Sequence, residues 1–367
     1  ALVAPAHADV LSDTWLRGAS SVAVNDDATA LFMNPAGLGM YAGANSYMSF
    51  SMSGDEVTSW SASSKMGPLG LGYSRHYMWE VGSDGLAPGD DAIDVYYAAL
   101  AIGDPQSFAV GFDYRWFRPQ FGDKKKTGTW DLGAVYRPTN SISIGAAMRN
   151  LSEPEVFHED GDADGDRECD CGSSITYAAG VGFRPMGSRL TLMADASFDE
   201  GQDLEDAVYT AGIEAEVADG VMVRGSLQSY PSGDDREQEF SAGVWFNTTY
   251  MGAGISYRSM EAAASDVMSY GLSTSEERQR SVFGAASDVA EIKVAGPLSD
   301  FRPGWSLFGE PRVSSQAIIR DIRRAGSDDS VECILLNIKP LGRTFLGGPS
   351  ALVQEIRDEI VRVREKH

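Results

Sequence analysis

Residues 106–118 read Gln-Ser-Phe-Ala-Val-Gly-Phe-Asp-Tyr-Arg-Trp-Phe-Arg, and the two faces of this stretch decide the fold. Even positions carry Phe108, Val110, Phe112, Tyr114 and Trp116, while odd positions carry Ala109, Gly111, Asp113 and Arg115. Successive side chains of an extended chain point to opposite sides, so one face is aromatic and the other small or charged. The split recurs in Trp130, Leu132, Ala134 and Tyr136 against Asp131, Gly133 and Arg137, and in Tyr209–Val217, Leu190–Phe198, Phe240–Phe246 and Met251–Tyr257. A water-soluble sandwich also alternates, but its polar face carries long Lys and Glu side chains. Here the polar face is Gly, Ser and single charges, which suits a crowded, polar lumen.

Strands of about ten residues with one apolar face, and Tyr, Trp and Phe toward their ends, match a tilted crossing of a bilayer by a β-barrel. No apolar run reaches the roughly eighteen residues that a membrane-spanning helix needs. Strands are expected to begin near Ser46, Val57, Leu69, Ala92, Phe108, Thr129, Ile142, Ile175, Leu190, Val208, Met222, Glu239, Met251 and Val267. The fold class is therefore mainly β: about 14 antiparallel strands in a transmembrane barrel, an even number as in bacterial single-chain barrels. Such a barrel places both termini at one end, the periplasmic one.

The formal net charge is −23, and it is unevenly spread. From Ala290 onward twelve Lys or Arg face eleven Asp or Glu, which leaves −24 for everything before. The acid is densest at Glu153–Asp170 and Gly233–Glu237, between strands, where surface loops belong. So acidic a surface disfavours nucleic acid as a partner; solubility and mutual repulsion are the simplest reading of the charge. At the start, Ala1–Pro5 is small and apolar and Ala6-His7-Ala8 has the small-x-small form that precedes signal-peptidase cleavage. Residues 1–8 are read as a signal-peptide remnant, and export is what a barrel requires.

Leu16–Leu38 follows a different rule. Asn25-Asp26-Asp27 is suited to capping a short apolar turn, and Asn34-Pro35 ends that turn because proline lacks the amide that would continue it. With Asn34-Pro35-Ala36-Gly37-Leu38, this stretch resembles the N-terminal segment of the long-chain fatty-acid transporter family of outer-membrane barrels, and the related barrels that serve as secretion shuttles. The resemblance covers about residues 9–275. It implies a fourteen-stranded barrel (45–275) with an inward-folded hatch (9–44), to which Asp26, Asp27, Asn34, Pro35, Ala36 and Gly37 would belong. It also implies outer-membrane lipid around the barrel and hydrophobic small molecules, or exported polypeptides, as cargo. Simple anchoring of the barrel's N-terminus is the alternative role for the same residues.

In Glu159–Gly172, Asp160, Asp162 and Asp164 at alternate positions before Gly165 match the opening of a calcium loop, because hard Ca²⁺ takes several oxygens around one turn. The twelfth position, normally a bidentate Glu, is Cys171, and Glu168 is the substitute ligand. Calcium and a solvated acidic loop are both open here. Cys169 and Cys171 could join only in a strained bridge; Cys333, in an apolar strand, reads as a buried small residue.

Past a linker at 276–288 the period changes again. Val289–Val294 reads as a strand, Ser314–Ala325 as an amphipathic helix with Ile318, Ile319 and Ile322 on one side, and Val331–Ile338 as an apolar strand. Ser350 caps a final helix, Ala351–Glu365, striped by Leu352, Ile356, Ile360 and Val363. This order implies a small α/β unit with a parallel sheet covered on its faces. With Gly347-Gly348-Pro349-Ser350 before the last helix, residues 290–367 resemble the opening of the signal peptide peptidase A family of Ser-Lys proteases. In that family an Asn-Ser-Pro-Gly-Gly loop helps stabilise the oxyanion. Here Asn337-Ile338-Lys339-Pro340 stands instead, with the paired glycines displaced to Gly347 and Gly348. The resemblance places the nucleophile and base beyond this stretch. Ser330 reads as a turn residue, Ser350 as a cap, and Lys339 flanks a strand; the histidines 7, 76, 158 and 367 offer no triad. The chain as given is expected to be proteolytically inactive. Two function classes follow: a hydrophobic-compound barrel or secretion shuttle with a periplasmic appendage able to oligomerise, or a barrel that anchors a Ser-Lys peptidase.

Overall fold

The computed structural model describes residues 19–41, 43–82, 85–104, 107–120, 127–158, 170–172, 174–232, 235–260, 265–277, 279–283, 288–294, 298–299, 313–326, 331–339 and 350–364. The chain divides into two compact units, Ala1–Val282 and Phe283–His367.

The first unit is a closed barrel of fourteen antiparallel strands. In chain order they are β1 (Ala44–Ser53), β2 (Glu56–Met66), β3 (Leu69–Gly82), β4 (Gly85–Asp104), β5 (Phe108–Pro119), β6 (Thr127–Thr139), β7 (Ile142–Arg149), β8 (Thr176–Phe183), β9 (Leu190–Asp199), β10 (Val208–Ala218), β11 (Val221–Ser232), β12 (Asp235–Asn247), β13 (Met251–Met260) and β14 (Ser265–Ser275). Each strand pairs with its neighbour in sequence, and β1 closes on β14 with Asn45 opposite Ser275. Both ends of the barrel segment therefore meet at one rim. Connections at that rim are short, while the opposite rim carries the longest one, between Arg149 and Thr176.

The alternation sorts as expected. Phe108, Val110, Phe112 and Trp116 point outward, as do Trp130, Leu132 and Tyr136; Ala109, Asp113, Arg115 and Asp131 are enclosed. Exposed Leu, Ile, Val, Phe and Met on nearly every strand form an apolar belt, the surface that hydrocarbon rather than water would cover. Among the described residues no helix is long and apolar enough to cross a membrane. Two boundaries differ by more than two residues: β12 begins at Asp235, four residues before the expected Glu239, and β4 at Gly85, seven before the expected Ala92. Pro88 and Asp90-Asp91 carry the chemistry of a turn, but β3 and β4 continue as a paired ribbon from Gly82–Gly85 down.

The second unit pairs β15 (Asp288–Val294) with β16 (Val331–Ile338) in parallel. Helix α2 (Ser315–Ala325) and helix α3 (Ser350–Arg364) lie against this pair, so Ile318, Ile319, Ile322 and Ile356 share a core with Ile292 and Val294. Arg323 grips the buried Glu359 through two bonds of 2.8 Å, and Arg362 adds a third of 2.6 Å. The expectation of a sheet covered on its faces is corrected: Ile334 and Leu336 of β16 turn to the helices, while Cys333 and Leu335 are exposed. Cys333 is thus not a buried small residue, because strand parity puts it opposite Ile334 and Leu336.

Candidate functional site

Residues 19–41 fill the lumen. Helix α1 (Ala30–Met33) is a single turn, closed by the Asn34 amide bonding to the Ala30 carbonyl at 2.8 Å. Of the expected caps, the Asp27 carboxylate holds the turn, accepting from the Thr29 amide at 2.9 Å and the Thr29 hydroxyl at 2.5 Å. Asn34 leaves the helix in an extended conformation, and Pro35 opens a 3₁₀ turn, Pro35–Met40, whose first free amide, Ala36 N, bonds Asn34 Oδ1 at 3.1 Å. One residue thus ends one helix with its backbone amide and starts the next with its side chain.

The same residue ties the hatch to the wall. Asn34 is fully enclosed, and its Nδ2 donates to the carbonyls of Val22 (2.7 Å), Ala134 and Ala146 (3.2 Å each). Ala134 and Ala146 face each other across β6 and β7, so the contact spans two barrel strands. The wall is hollowed to receive it. A Cβ on Gly111 would strike Pro35 and the Ala36 amide, one on Gly133 would strike Asn34 Oδ1, and one on Gly37 would meet the Asn25 carbonyl and Ala30. These glycines therefore serve close approach rather than backbone freedom.

Charged groups from the barrel complete the clamp, and most of them carry no signature that a sequence pattern reveals. Lys65, 1% exposed on the inner face of β2, donates to the carbonyls of Leu38 (2.8 Å), Tyr41 (2.7 Å) and Asp26 (3.4 Å). Arg137 pairs with Asp26 at 2.7 Å, Arg149 donates to the Met33 carbonyl at 2.8 Å, and Arg184 reaches the Val24 carbonyl at 3.3 Å. The Asn45 side chain accepts from the Ala28 amide at 2.5 Å, and Ser21 Oγ donates to Asp195 at 2.8 Å. A lone Lys among inward serines was the available signal for Lys65. All six predicted hatch residues lie in this plug, and Asp26, Asp27, Asn34 and Gly37 have the specific contacts just given.

Around the hatch the lumen holds two kinds of surface. Asp113 stands opposite Asp131 in the β5–β6 register, and Asp131 is answered by Arg115 at 2.8 Å, which also reaches Asn150 at 2.6 Å. Beside these charges lies an apolar cluster: Leu31 and Phe32 of the hatch with Tyr97, Phe117, Tyr47 and Trp245 of the wall. Phe32 meets Tyr97 edge to face at 5.0 Å, and Tyr47 stacks on Trp245 at 5.9 Å.

The calcium ligands Asp160, Asp162, Asp164 and Glu168, and the displaced glycines Gly347 and Gly348, lie outside the described residues. Among the described residues no group of three or more His, Cys, Asp or Glu could hold a metal ion.

No family model matches this chain, and no curated protein matches it. Solved structures do. A mutant of the monoaromatic hydrocarbon channel TodX aligns over 72% of this chain and 98% of its own, at 10% identity and a TM-score of 0.51. A Pseudomonas aeruginosa FadL homologue (11% identity, TM-score 0.45, 72% and 98% covered) and the Ralstonia pickettii toluene transporter TbuX (11%, 0.44, 73% and 97%) also align. At such identity the likeness to the TodX channel establishes one thing, the closed barrel fold.

Proposed function

We propose that this chain is an outer-membrane channel for small hydrophobic compounds, shut at rest by residues 19–41. The observation that carries the reading is the apolar cluster of Leu31, Phe32, Tyr47, Tyr97, Phe117 and Trp245, backed by Ile93, Val95 and Met222, inside a lumen that also carries serines, glycines and ion pairs. A compound that partitions into that cluster lies against the hatch tip and competes for the contacts that hold it. The outward apolar belt, the even strand number and the shared rim of both barrel ends support the membrane location, with the termini on the periplasmic side. The monoaromatic hydrocarbon channel TodX, which shares the barrel fold, supports the substrate class. The C-terminal unit is read as a periplasmic appendage of peptidase-like order, with no catalytic role in this chain.

Proteoliposomes carrying the full chain should take up a labelled fatty acid or toluene faster than empty vesicles, and Trp245→Ala together with Phe32→Ala should change that rate. Uptake equal to that of empty vesicles sinks the reading.

A further inference from the structure

Two rows of outward side chains on β3, β4 and β5 lie one above the other. Register sets Tyr73 opposite Tyr96 and Tyr96 opposite Trp116; one step farther from the terminal rim it sets Arg75 opposite Asp94 and Asp94 opposite Arg118. These six share the parity that exposes Leu69, Leu71, Ile102 and Phe112, whereas the other parity turns Gly70 and Gly72 to the hatch. The rings touch, Tyr73 with Tyr96 at 5.1 Å and Tyr96 with Trp116 at 6.1 Å, and Trp60 extends the arc from Tyr73 at 4.6 Å. Residues two apart on a strand are about 7 Å apart along it, so the charged row caps the aromatic one closely.

The charged row is not neutral. Asp94 accepts from Arg75 Nε (2.7 Å), Arg75 Nη2 (3.1 Å), the Tyr73 hydroxyl (2.5 Å) and Gln120 Nε2 (2.5 Å). A carboxylate offers about four lone-pair sites, so these donors use them up. Arg118 is exposed and makes no hydrogen bond or ion pair among the described residues. Two guanidiniums against one carboxylate leave an excess positive charge at the edge of the apolar belt, on a barrel that is strongly acidic. Arg236 is a useful contrast: it lies over Tyr209, but its donors go to the carbonyls of Glu205, Ala207 and Ser229.

The geometry points to a binding site for the phosphate of an anionic lipid on the outer wall of β3–β5. Arg118, backed by Arg75, meets the phosphate with its planar fork of donors, and Tyr96 and Trp116 bed the adjoining acyl stem at the depth where aromatic rings favour the interface. This rests on the membrane reading above.

The test uses the full chain in phosphatidylcholine vesicles, with spin-labelled phosphatidic acid or spin-labelled phosphatidylcholine as probe. The wild type should hold phosphatidic acid in preference to phosphatidylcholine, and Arg118→Gln should lose roughly tenfold of that preference, the order expected for one charge-assisted contact. Inorganic phosphate should not displace the lipid probe. Insertion with equal retention of both probes, an unchanged preference in Arg118→Gln, or displacement by inorganic phosphate overturns the site alone. A chain that enters neither vesicle overturns the membrane reading and this site with it.

Discussion

Lys65 holds three carbonyls of the hatch with one ammonium. Replacing it by Met keeps the length and removes every donor, leaving enclosed carbonyls at Leu38 and Tyr41 unanswered. The expected cost is about 2–4 kcal/mol, from one to two stranded polar groups. Because those carbonyls belong to the hatch, ion conductance through planar bilayers should rise for Lys65→Met as the thermal midpoint falls; a lower midpoint with unchanged conductance would show that Lys65 supports the barrel without holding the hatch. Phe108 and Asp113 could be placed from sequence because parity alone assigns their faces. Lys65 could not, since its acceptors are backbone carbonyls, which no side chain announces, 24 to 39 residues away. Asp94 shows the limit of parity from the other side: its position faces the membrane, and only the donors around it make a carboxylate tolerable there.

Single elements were more legible than the way they are covered. The period of Ile318, Ile319 and Ile322 sets the inner face of α2, and the parallel pairing of β15 with β16 follows from the strand–helix–strand order. A continuous apolar run in β16 suggested burial on both faces, yet helices cover the face of Ile334 and Leu336 and leave Leu335 open. The two faces should therefore respond unequally to truncation. Ile322→Ala should destabilise the C-terminal unit by about 2–5 kcal/mol, the usual cost of emptying a core site. Leu335→Ala should stay within about 0.5 kcal/mol, as surface changes do. Hydrogen exchange of α2 amides in the full chain separates the two, and equal loosening by both substitutions would mean that the outer face of β16 is also packed.

At the scale of the whole molecule, closure of the barrel depends on one register between its first and last strands. Met48 and Leu272 stand opposite each other on the outer face of β1 and β14, both more than half exposed. The pair Met48→Cys with Leu272→Cys should form a disulfide across the seam, seen as a band whose mobility changes on reduction, whereas Met48→Cys with Gly271→Cys should not. A slip of one residue would exchange the two results, because it turns every side chain to the other face. The barrel class and approximate strand number were readable from alternation repeated along the chain, but the seam was not, since no local pattern specifies which strand closes the ring.

The Asn34 contacts with Ala134 and Ala146 bridge 100 and 112 residues of chain. Pairing of β6 with β7 brings these two carbonyls side by side, so both contacts can form only after that pairing. Asn34 in the first described segment to be synthesised thus waits for partners a hundred or more residues later before its wall contacts are complete. Contacts this distant make folding slow. Asn34→Ala should consequently leave early strand pairing untouched and slow the later seating of the hatch, read as delayed protease protection of residues 19–41 after the barrel has closed.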